Sequence, residues 1–206
     1  MQRYELIRLI GRGGMGEVYL AHDKACSRRV ALKKIREDLS DNPLLRKRFL
    51  REAKIAADLI HPGIVPVYSI CSDGESVYYT MPYIEGFSLK NLLKSVWQKE
   101  ILSKELEEKT SVKALLPIFD KICATVEYIH SKGVLHRDLK PSAIILDDFL
   151  FPKLSFSVPM DFSRCESGVI RHSTVIYTAP ELDIDEEMPM FLKCTDTYSF
   201  GCIVLE

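Results

Sequence analysis

The stretch that decides the fold is residues 134–141, which read VLHRDLKP. It follows Gly133, and glycine commonly stands just past the end of a helix. Residues 114–130 carry apolar side chains at helical spacing, interrupted only by Pro117 near their start, so we predict a long helix there. Beyond the stretch, short strands and loops continue until residues 194–206, which predict the start of a further helix.

The residues before Gly86 have a different character, with short β-rich segments around glycines. Residues 42–59 predict one helix, because Leu45, Phe49, Ala53 and Ala56 fall on a single helical face. The first 81 residues therefore predict a mostly antiparallel sheet with one helix. Its predicted strands are residues 4–10, 17–22, 29–34, 64–70 and 77–81, the last two around a turn at 72–74. After Gly86 we predict a helix at residues 88–98 and a charged, solvated connector at 99–109.

Residues 11–18 read GRGGMGEV, which fits the pattern GxGxxGxV. Glycines at these positions let backbone N–H groups approach phosphate oxygens without obstruction by side chains. A dinucleotide-binding turn of the Rossmann kind would need a helix directly after the glycines. Here Val18, Tyr19 and Leu20 continue as a strand, which disfavours that alternative. The pattern alone is weak, because glycine-rich turns are common.

An apolar strand carries Lys33 shortly after the glycine-rich turn, and Glu52 lies centrally in the predicted helix 42–59. Alone, Lys33 would be interpreted as an exposed strand lysine. A lysine that follows a glycine turn and is oriented by a glutamate on the next helix can hold nucleotide phosphates. The three features in series therefore favour a nucleotide site. Alternation along the strand sends Lys34 to the other face.

The HRDLKP run within residues 134–141 resembles the catalytic loop of protein kinases. Ala179-Pro180-Glu181 is similar to the APE motif of that family, and residues 196–201 resemble the start of its buried C-lobe helix. With the glycine turn, Lys33 and Glu52, these motifs stand in the family's order along nearly the whole chain. Residues 1–141 resemble the PknD-type serine/threonine kinases of chlamydiae in particular, and residues 142–206 a more divergent kinase. That change raises the hypothesis of a junction between two kinase-derived sequences near Pro141.

The resemblance implies an α+β, bilobal fold. The N-lobe and hinge (residues 1–86) would hold an antiparallel sheet and one helix, and the partial C-lobe (87–206) would be mainly helical and truncated. It implies ATP bound between the lobes and phosphoryl transfer to protein Ser/Thr, with Mg²⁺ as the family's metal. Asp138 would accept the proton of the substrate hydroxyl. Lys140 resembles the serine/threonine class.

The same resemblance implies the residues that contact the nucleotide. Met81 would be the gatekeeper, Tyr83 and Ile84 part of the hinge that meets adenine, and Val18, Ala31 and Ile145 the walls around the ring. The full set implied is Ile10, Gly11, Arg12, Gly13, Gly14, Met15, Gly16, Glu17, Val18, Ala31, Lys33, Met81, Tyr83, Ile84 and Ile145.

The sequence departs from the family at both metal positions. Kinases place an asparagine five residues after the catalytic aspartate, where this chain has Ala143, which offers no oxygen to a hard cation. By spacing, Phe156 stands where the aspartate of the DFG motif is expected. Alternatively residues 156–160 are an insertion and Asp161 begins a DFG variant. Spacing to the APE motif favours the first interpretation and the preserved Asp-Phe pair favours the second, so both stay open.

These departures leave three functional hypotheses. The first is a serine/threonine kinase with impaired phosphoryl transfer. The second is a nucleotide-binding pseudokinase that acts as a docking or allosteric module. The third is a fragment that cannot fold, suggested by the truncated C-lobe. A strong Mg²⁺-dependent activity would favour Asp161 as the real ligand.

Residues 173–181 resemble the activation segment that docks the substrate. Ser173 and Thr174 in this segment, and Ser163 and Ser167 before it, are candidate phosphorylation sites. For Ser163 and Ser167 an exposed polar loop is the simpler interpretation. Thr174 is expected to contact Asp138 and Lys140, as its counterpart does in the family.

Charge and composition limit the kinds of partner that the chain is expected to bind. The net charge of -1 predicts no bulk attraction to nucleic acid or to an anionic membrane. No apolar run reaches the ~20 residues of a membrane span. The first residues lack the apolar core of a signal peptide, so we expect a cytoplasmic protein whose six cysteines are reduced. The apolar residues 197–206 predict self-association where nothing covers them.

Overall fold

The computed structural model describes residues 3–72, 76–97, 112–156, 175–177, 179 and 193–205. The chain divides into two compact units. The first comprises Met1–Ile60 and Ile64–Glu85, and the second comprises His61–Gly63 and Gly86–Glu206. The short segment His61–Gly63 therefore belongs to the second unit, although both of its neighbours in sequence belong to the first.

The first unit is built on an antiparallel sheet of five strands. They are β1 (Tyr4–Arg12), β2 (Gly16–Asp23), β3 (Arg28–Ile35), β4 (Ser69–Ser72) and β5 (Val77–Pro82), and their order in the sheet is β1-β2-β3-β5-β4. The predicted antiparallel sheet is confirmed, and most strand bounds lie within two residues of the prediction. One face of the sheet buries an apolar core made of Tyr4, Ala21, Val30, Leu32 and Tyr78.

The predicted strand at residues 64–70 is wrong in extent. The strand that pairs with β5 begins only at Ser69. Pro66 lies in the middle of the predicted run and has no N–H to donate to a neighbouring strand. Ile64 and Val65 are nonetheless buried, which accounts for their apolar character. The predicted turn at 72–74 lies largely outside the described residues.

Helix α1 (Pro43–Asp58) has the start that its sequence demands. The side chain of Asn42 accepts hydrogen bonds from Leu44 N at 3.0 Å and Leu45 N at 3.2 Å, which satisfies two donors that the first turn leaves free. Pro43 takes the first helical position, where its missing N–H costs nothing. The predicted apolar face is confirmed. The buried residues of α1 are Leu45, Phe49, Glu52, Ala53 and Ala56.

The second unit combines helices with a small sheet. Its described helices are α2 (Leu89–Trp97), α3 (Val112–Ser131) and α4 (Lys193–Leu205). Its described strands are β6 (Gly86–Ser88), β7 (Ile144–Asp147) and β8 (Pro152–Leu154), antiparallel in that order. The mixed α+β class is therefore confirmed, whereas the connector predicted at 99–109 lies outside the described residues. In the described ranges no helix is both long and apolar enough to span a bilayer. The buried core of the unit is formed by Leu89, Leu92, Leu93, Ile118, Ile122, Val126, Leu139, Ile144, Leu146, Leu154 and Ile203.

Gly133 ends the long helix α3, as predicted, and directs the chain into residues 134–141. Its φ of +70° lies in the left-handed region, which costs glycine little. Gly133 N donates to His130 O at 3.1 Å, and Val134 N donates to Ile129 O at 3.0 Å. These bonds satisfy carbonyls of the last turn and set the direction in which the HRD stretch leaves the helix.

Candidate nucleotide and catalytic sites

One face of the first unit's sheet carries Tyr79 and four side chains of the implied nucleotide set. Val18, Lys33 and Tyr79 are partners across β2, β3 and β5, and Ala31 lies opposite Met81. Residues two apart on a strand share a face, so all five side chains project to the same side of the sheet. The apolar core described above occupies the other side. The strand register therefore separates the face with the apolar core from the face without it, called the free face below, on which α1 contacts Lys33 and Tyr79.

The glycine-rich turn connects β1 and β2. Arg12 pairs with Glu17 across the hairpin, and Gly13 N donates to Gly16 O at 2.8 Å. A Cβ atom on Gly16 would lie 3.3 Å from Cε of Lys33, which is tighter than ordinary van der Waals contact. Glycine at position 16 thus leaves room for the Lys33 side chain below the turn.

Arg36, which no sequence motif indicated, fixes the tip of this turn. Its backbone N–H donates to Met15 O at 3.0 Å, and its guanidinium donates to Gly14 O at 3.2 Å. Asp38 holds the guanidinium through two contacts of 2.9 and 2.6 Å and raises the pKa of Arg36. Met15, which belongs to the turn, is itself buried. Because Gly16 pairs with Ile35, the residue after Ile35 necessarily lies beside the turn, and only the register reveals this.

The ammonium of Lys33 and the carboxylate of Glu52 form an ion pair between β3 and α1, as the sequence predicted. Glu52 is only 1% exposed and Lys33 12%. A charge this deeply buried is costly unless it is paired and hydrogen-bonded. The pair therefore fixes the position of the Lys33 ammonium on the free face of the sheet.

Glu52 receives a further donor that the sequence did not predict. The hydroxyl of Tyr79 donates to Oε1 of Glu52 at 2.7 Å. Burial, and then the adjacent Glu52 charge, raise the pKa of Tyr79 well above its ordinary value, so the phenol keeps its proton and remains a donor. The sequence offered one signal for Tyr79, strand alternation, because Tyr79 lies two residues before Met81. Its position opposite Lys33 follows from the strand register.

Four further residues of the implied nucleotide set lie in or next to strands β1, β5 and β7. Ile10 lies near the end of β1 with 37% of its surface exposed, and Tyr83 and Ile84 follow β5 half-buried. The guanidinium of Arg29 lies 5.6 Å from the centre of the Tyr83 ring. Ile145 belongs to the second unit, where it pairs with Ser88 in the small sheet. Their contacts with a nucleotide stay predictions.

In the second unit, a buried carboxylate holds the loop that carries the HRD residues, which are predicted to be catalytic. Asp196, which is fully buried in α4, accepts hydrogen bonds from His136 N at 2.8 Å and Arg137 N at 2.7 Å. The side chain of His130 also contacts it, with Nε2 2.7 Å from Oδ2. Arg137 has a φ of 62°, which is unfavourable for a residue with a side chain. Asp196 supplies the bonds that keep the loop in this conformation.

His136 connects the loop to the residues after β8. Its Nε2 donates to Ser155 O at 3.1 Å, and its ring centre lies 5.0 Å from that of Phe156. Burial lowers the pKa of His136, so the ring is neutral near pH 7 and acts as a donor through Nε2 alone. Packing against this ring buries Phe156, which is 8% exposed.

Asp138 and Lys140 form a close pair on the loop. The ammonium of Lys140 lies 2.8 Å from Oδ1 and 2.7 Å from Oδ2 of Asp138. Both side chains are partly exposed, at 18% for Asp138 and 23% for Lys140. The carboxylate is thus oriented by a cation and remains accessible. The expected contact of Thr174 with this pair lies outside the described residues.

The two expected metal positions do not fit a magnesium ion. Ala143 is buried and presents a methyl group, and its carbonyl oxygen already accepts hydrogen bonds from the N–H and the hydroxyl of Ser155. Phe156 presents an aromatic ring. Mg²⁺ requires oxygen ligands in octahedral geometry, and neither side chain has one. Among the residues that the structure describes there is no group of three acidic, histidine or cysteine side chains that could hold a metal. Asp161 lies outside those residues.

Little of the activation segment lies within the described parts of the chain. Residues Val175–Tyr177 form one short 3-10 turn, and the hydroxyl of Ser199 in α4 donates to Tyr177 O at 2.7 Å. Ala179 is buried. The four candidate phosphorylation sites, Ser163, Ser167, Ser173 and Thr174, lie outside the described residues.

Comparison with known proteins agrees with these features. A family model described as "Protein kinase domain" matches residues 4–206. The chain is 95% identical over 149 residues to the serine/threonine-protein kinase PknD of Chlamydia muridarum. This aligned region covers 72% of this chain and 16% of that protein. It is 72% identical over 195 residues to the PknD of Chlamydia felis, and this aligned region covers 95% of this chain and 20% of that protein.

The chain therefore spans a fifth or less of the length of these curated relatives. The alignments do not test a junction near Pro141, which stays a hypothesis. The family match, in contrast, covers both structural units, and the paired Lys33 and Glu52 and the anchored HRD loop are features of the matched family. This chain belongs to the protein kinase family.

Proposed function

We propose that the chain is the nucleotide-binding and catalytic part of a serine/threonine protein kinase whose phosphoryl transfer is impaired. ATP is the proposed phosphoryl donor and a protein Ser or Thr hydroxyl the acceptor. The observation that carries the proposal is the buried Lys33–Glu52 pair on the free face of the sheet. The PknD relatives, which are named serine/threonine-protein kinases, and Lys140 support the class of acceptor.

The proposed nucleotide site uses the first unit's free face. Lys33 offers a fixed cation to phosphate oxygens, and the glycine turn lets backbone N–H groups come close to them. Ala31 and Met81 lie beyond Lys33 on the same face, where small and flexible apolar side chains suit a flat heterocycle. Glu52 keeps the ammonium at a defined position so that a phosphate does not have to order it.

The proposed chemistry takes place at Asp138. The acceptor oxygen attacks the γ-phosphorus, the bond between that phosphorus and the β,γ-bridging oxygen breaks, and ADP leaves. The Asp138 carboxylate orients the acceptor hydroxyl and receives its proton. Lys140, in contact with both carboxylate oxygens, holds the carboxylate in place and offers positive charge near the transferred group.

The impairment follows from Ala143 and Phe156. A metal ion at these positions would normally neutralise charge on the transferring phosphates, which contributes several kcal/mol to catalysis. Without it, Lys33 and Lys140 are the cations available from the described parts of the site. We expect the rate to fall by orders of magnitude relative to a metal-dependent kinase.

A second candidate function is a nucleotide-binding pseudokinase that acts as a docking or allosteric module. The same observation at Ala143 and Phe156 favours it, because nucleotide binding needs Lys33 and the glycine turn whereas rapid transfer needs the metal. Incubation with radiolabelled ATP, with Mg²⁺ and with Mn²⁺, separates the two candidates. Incorporation that Asp138→Asn abolishes supports the enzyme, and nucleotide binding without incorporation supports the pseudokinase.

We predict that chelating Mg²⁺ changes the nucleotide affinity of the wild-type chain less than about twofold, because no described side chain binds the metal. The double variant Ala143→Asn with Phe156→Asp is expected to raise Mg²⁺-dependent transfer at least about tenfold. Isothermal titration calorimetry with a non-hydrolysable ATP analogue measures the first effect, and radiolabel incorporation the second.

The matched control is the double variant Ala143→Ser with Phe156→Leu, which changes the same positions without restoring either metal ligand. It should leave transfer at the wild-type level. Strong Mg²⁺-dependent transfer by the unmodified chain would contradict the prediction and would assign the metal to Asp161 instead.

A further inference from the structure

Tyr79 is a residue of the first unit whose placement the kinase motifs do not explain. It lies in β5 with 2% of its surface exposed, opposite Lys33 and on the same face of the sheet as Met81. Its hydroxyl ends 2.7 Å from Oε1 of Glu52, the oxygen that also meets the Lys33 ammonium. Oε1 of Glu52 is therefore contacted by one side chain from β3 and by one from β5.

The ring of Tyr79 is fixed independently of its hydroxyl. Its centre lies 5.3 Å from the centre of Phe49, which belongs to α1, at an angle of 46° between the rings. The Lys33 ammonium lies 5.5 Å from the Tyr79 ring centre and 5.9 Å from that of Phe49. Two aromatic faces thus surround the cation, where attraction to their electron density adds to the ion pair. A packed ring with few rotamers keeps its hydroxyl in one place.

We propose that Tyr79 is a positioning residue that holds the Glu52 carboxylate on Lys33 before any nucleotide binds. This role for Tyr79 deepens the proposed function. Its expected effect on nucleotide affinity rests on the proposed function. Tyr79 touches neither the phosphates nor the acceptor in this proposal. It acts through Glu52, and through Glu52 on the ammonium of Lys33.

The physical reason is the cost of a buried carboxylate with too few donors. Hydrogen bonds to charged groups are roughly twice as strong as bonds between neutral groups. Removal of the Tyr79 donor makes the buried pair less favourable and increases the fraction of molecules in which Glu52 has turned away from Lys33. The apparent dissociation constant of a ligand rises by the same factor by which the competent fraction falls.

The strand provides a matched control at the neighbouring position. Tyr78 is also a buried tyrosine of β5, but alternation places it on the opposite face, where its ring meets that of Tyr4 at 5.9 Å. Tyr79→Phe and Tyr78→Phe each remove one hydroxyl from the same strand. A general loss of strand stability affects both variants, whereas the positioning of Lys33 depends on Tyr79 alone.

The test measures Lys33 in the nucleotide-free protein, by the rate of its reductive methylation with formaldehyde followed by mass spectrometry. Tyr79→Phe should raise that rate about fivefold and weaken the binding of a non-hydrolysable ATP analogue by the factor by which the fraction with Lys33 paired to Glu52 falls. Tyr78→Phe should leave both within about twofold of the wild type. If Tyr79→Phe does not fold, 3-fluorotyrosine at position 79 serves instead. It keeps the ring, strengthens the donor, and should lower the methylation rate of Lys33.

An unchanged methylation rate in Tyr79→Phe would overturn the proposal, and so would an equal increase in Tyr78→Phe. With 3-fluorotyrosine, a rate no lower than that of the wild type would overturn it as well. The failure of the proposed function gives a different pattern. A wild-type chain that binds no ATP analogue, but in which Tyr79→Phe still exposes Lys33, refutes the nucleotide site and leaves the role of Tyr79 intact.

Discussion

Replacing Asp196 by alanine is expected to lower the free energy of unfolding by about 3–6 kcal/mol, because each buried donor left without a partner costs about 1–3 kcal/mol. Three donors lose their acceptor: His136 N, Arg137 N and the ring of His130. The left-handed conformation of Arg137 also loses the bonds that maintain it. We expect the HRD loop to relax and the Asp138 carboxylate to lose its position. Urea denaturation followed by circular dichroism measures the change.

Thr197→Ala is the matched control for this variant. Thr197 is the next residue of α4, is exposed, and donates a hydrogen bond within its own helix, to Lys193 O at 3.1 Å. It should change the free energy of unfolding by less than about 0.5 kcal/mol. Asp196→Asn, which keeps one oxygen acceptor, should fall between the two. A loss below about 1 kcal/mol in Asp196→Ala would mean that water satisfies these donors.

Gly63→Ala is expected to cost about 3 kcal/mol, at the upper end of the range for overpacking. A Cβ atom on Gly63 would lie 2.1 Å from Oγ1 of Thr125 and 3.1 Å from both its Cβ and its Cγ2, so the threonine side chain or the backbone has to move. The backbone cannot move away easily. Gly63 O accepts from Leu154 N at 2.7 Å, and Gly63 N donates to the His61 ring at 3.1 Å.

The second-site variant Thr125→Ala tests this cause directly. It removes two of the three clashing atoms, so the double variant Gly63→Ala with Thr125→Ala should be more stable than Gly63→Ala alone. The single variant Thr125→Ala should lose a modest amount, because the hydroxyl bonds to Lys121 O within the helix. Thermal melts of the wild type, the two single variants and the double variant give the coupling free energy between the two positions. Strictly additive losses would contradict the steric explanation.

The sequence alone determined the features that depend on neighbours in the chain. Asn42 and Pro43 mark the start of α1, and Gly133 marks the end of α3, because capping is decided within one turn of a helix. Alternation and helical spacing identified the sheet and the buried face of α1. The motifs around Lys33, Glu52 and Asp138 identified the family by their order. Where local spacing misled, at residues 64–70, a proline had already interrupted the strand.

The tertiary structure alone decided the contacts that join distant parts of the chain. Tyr79 reaches Glu52 across 27 positions, Arg36 reaches Gly14 across 22, and His130 reaches Asp196 across 66. Each of these bonds depends on strand register or on helix packing, which is set by the sum of many weak contacts and leaves no local pattern. The ring of Phe156 against His136 is a contact of the same kind. The sequence could name the groups that carry chemistry, whereas the groups that hold them in position became visible only in the folded chain.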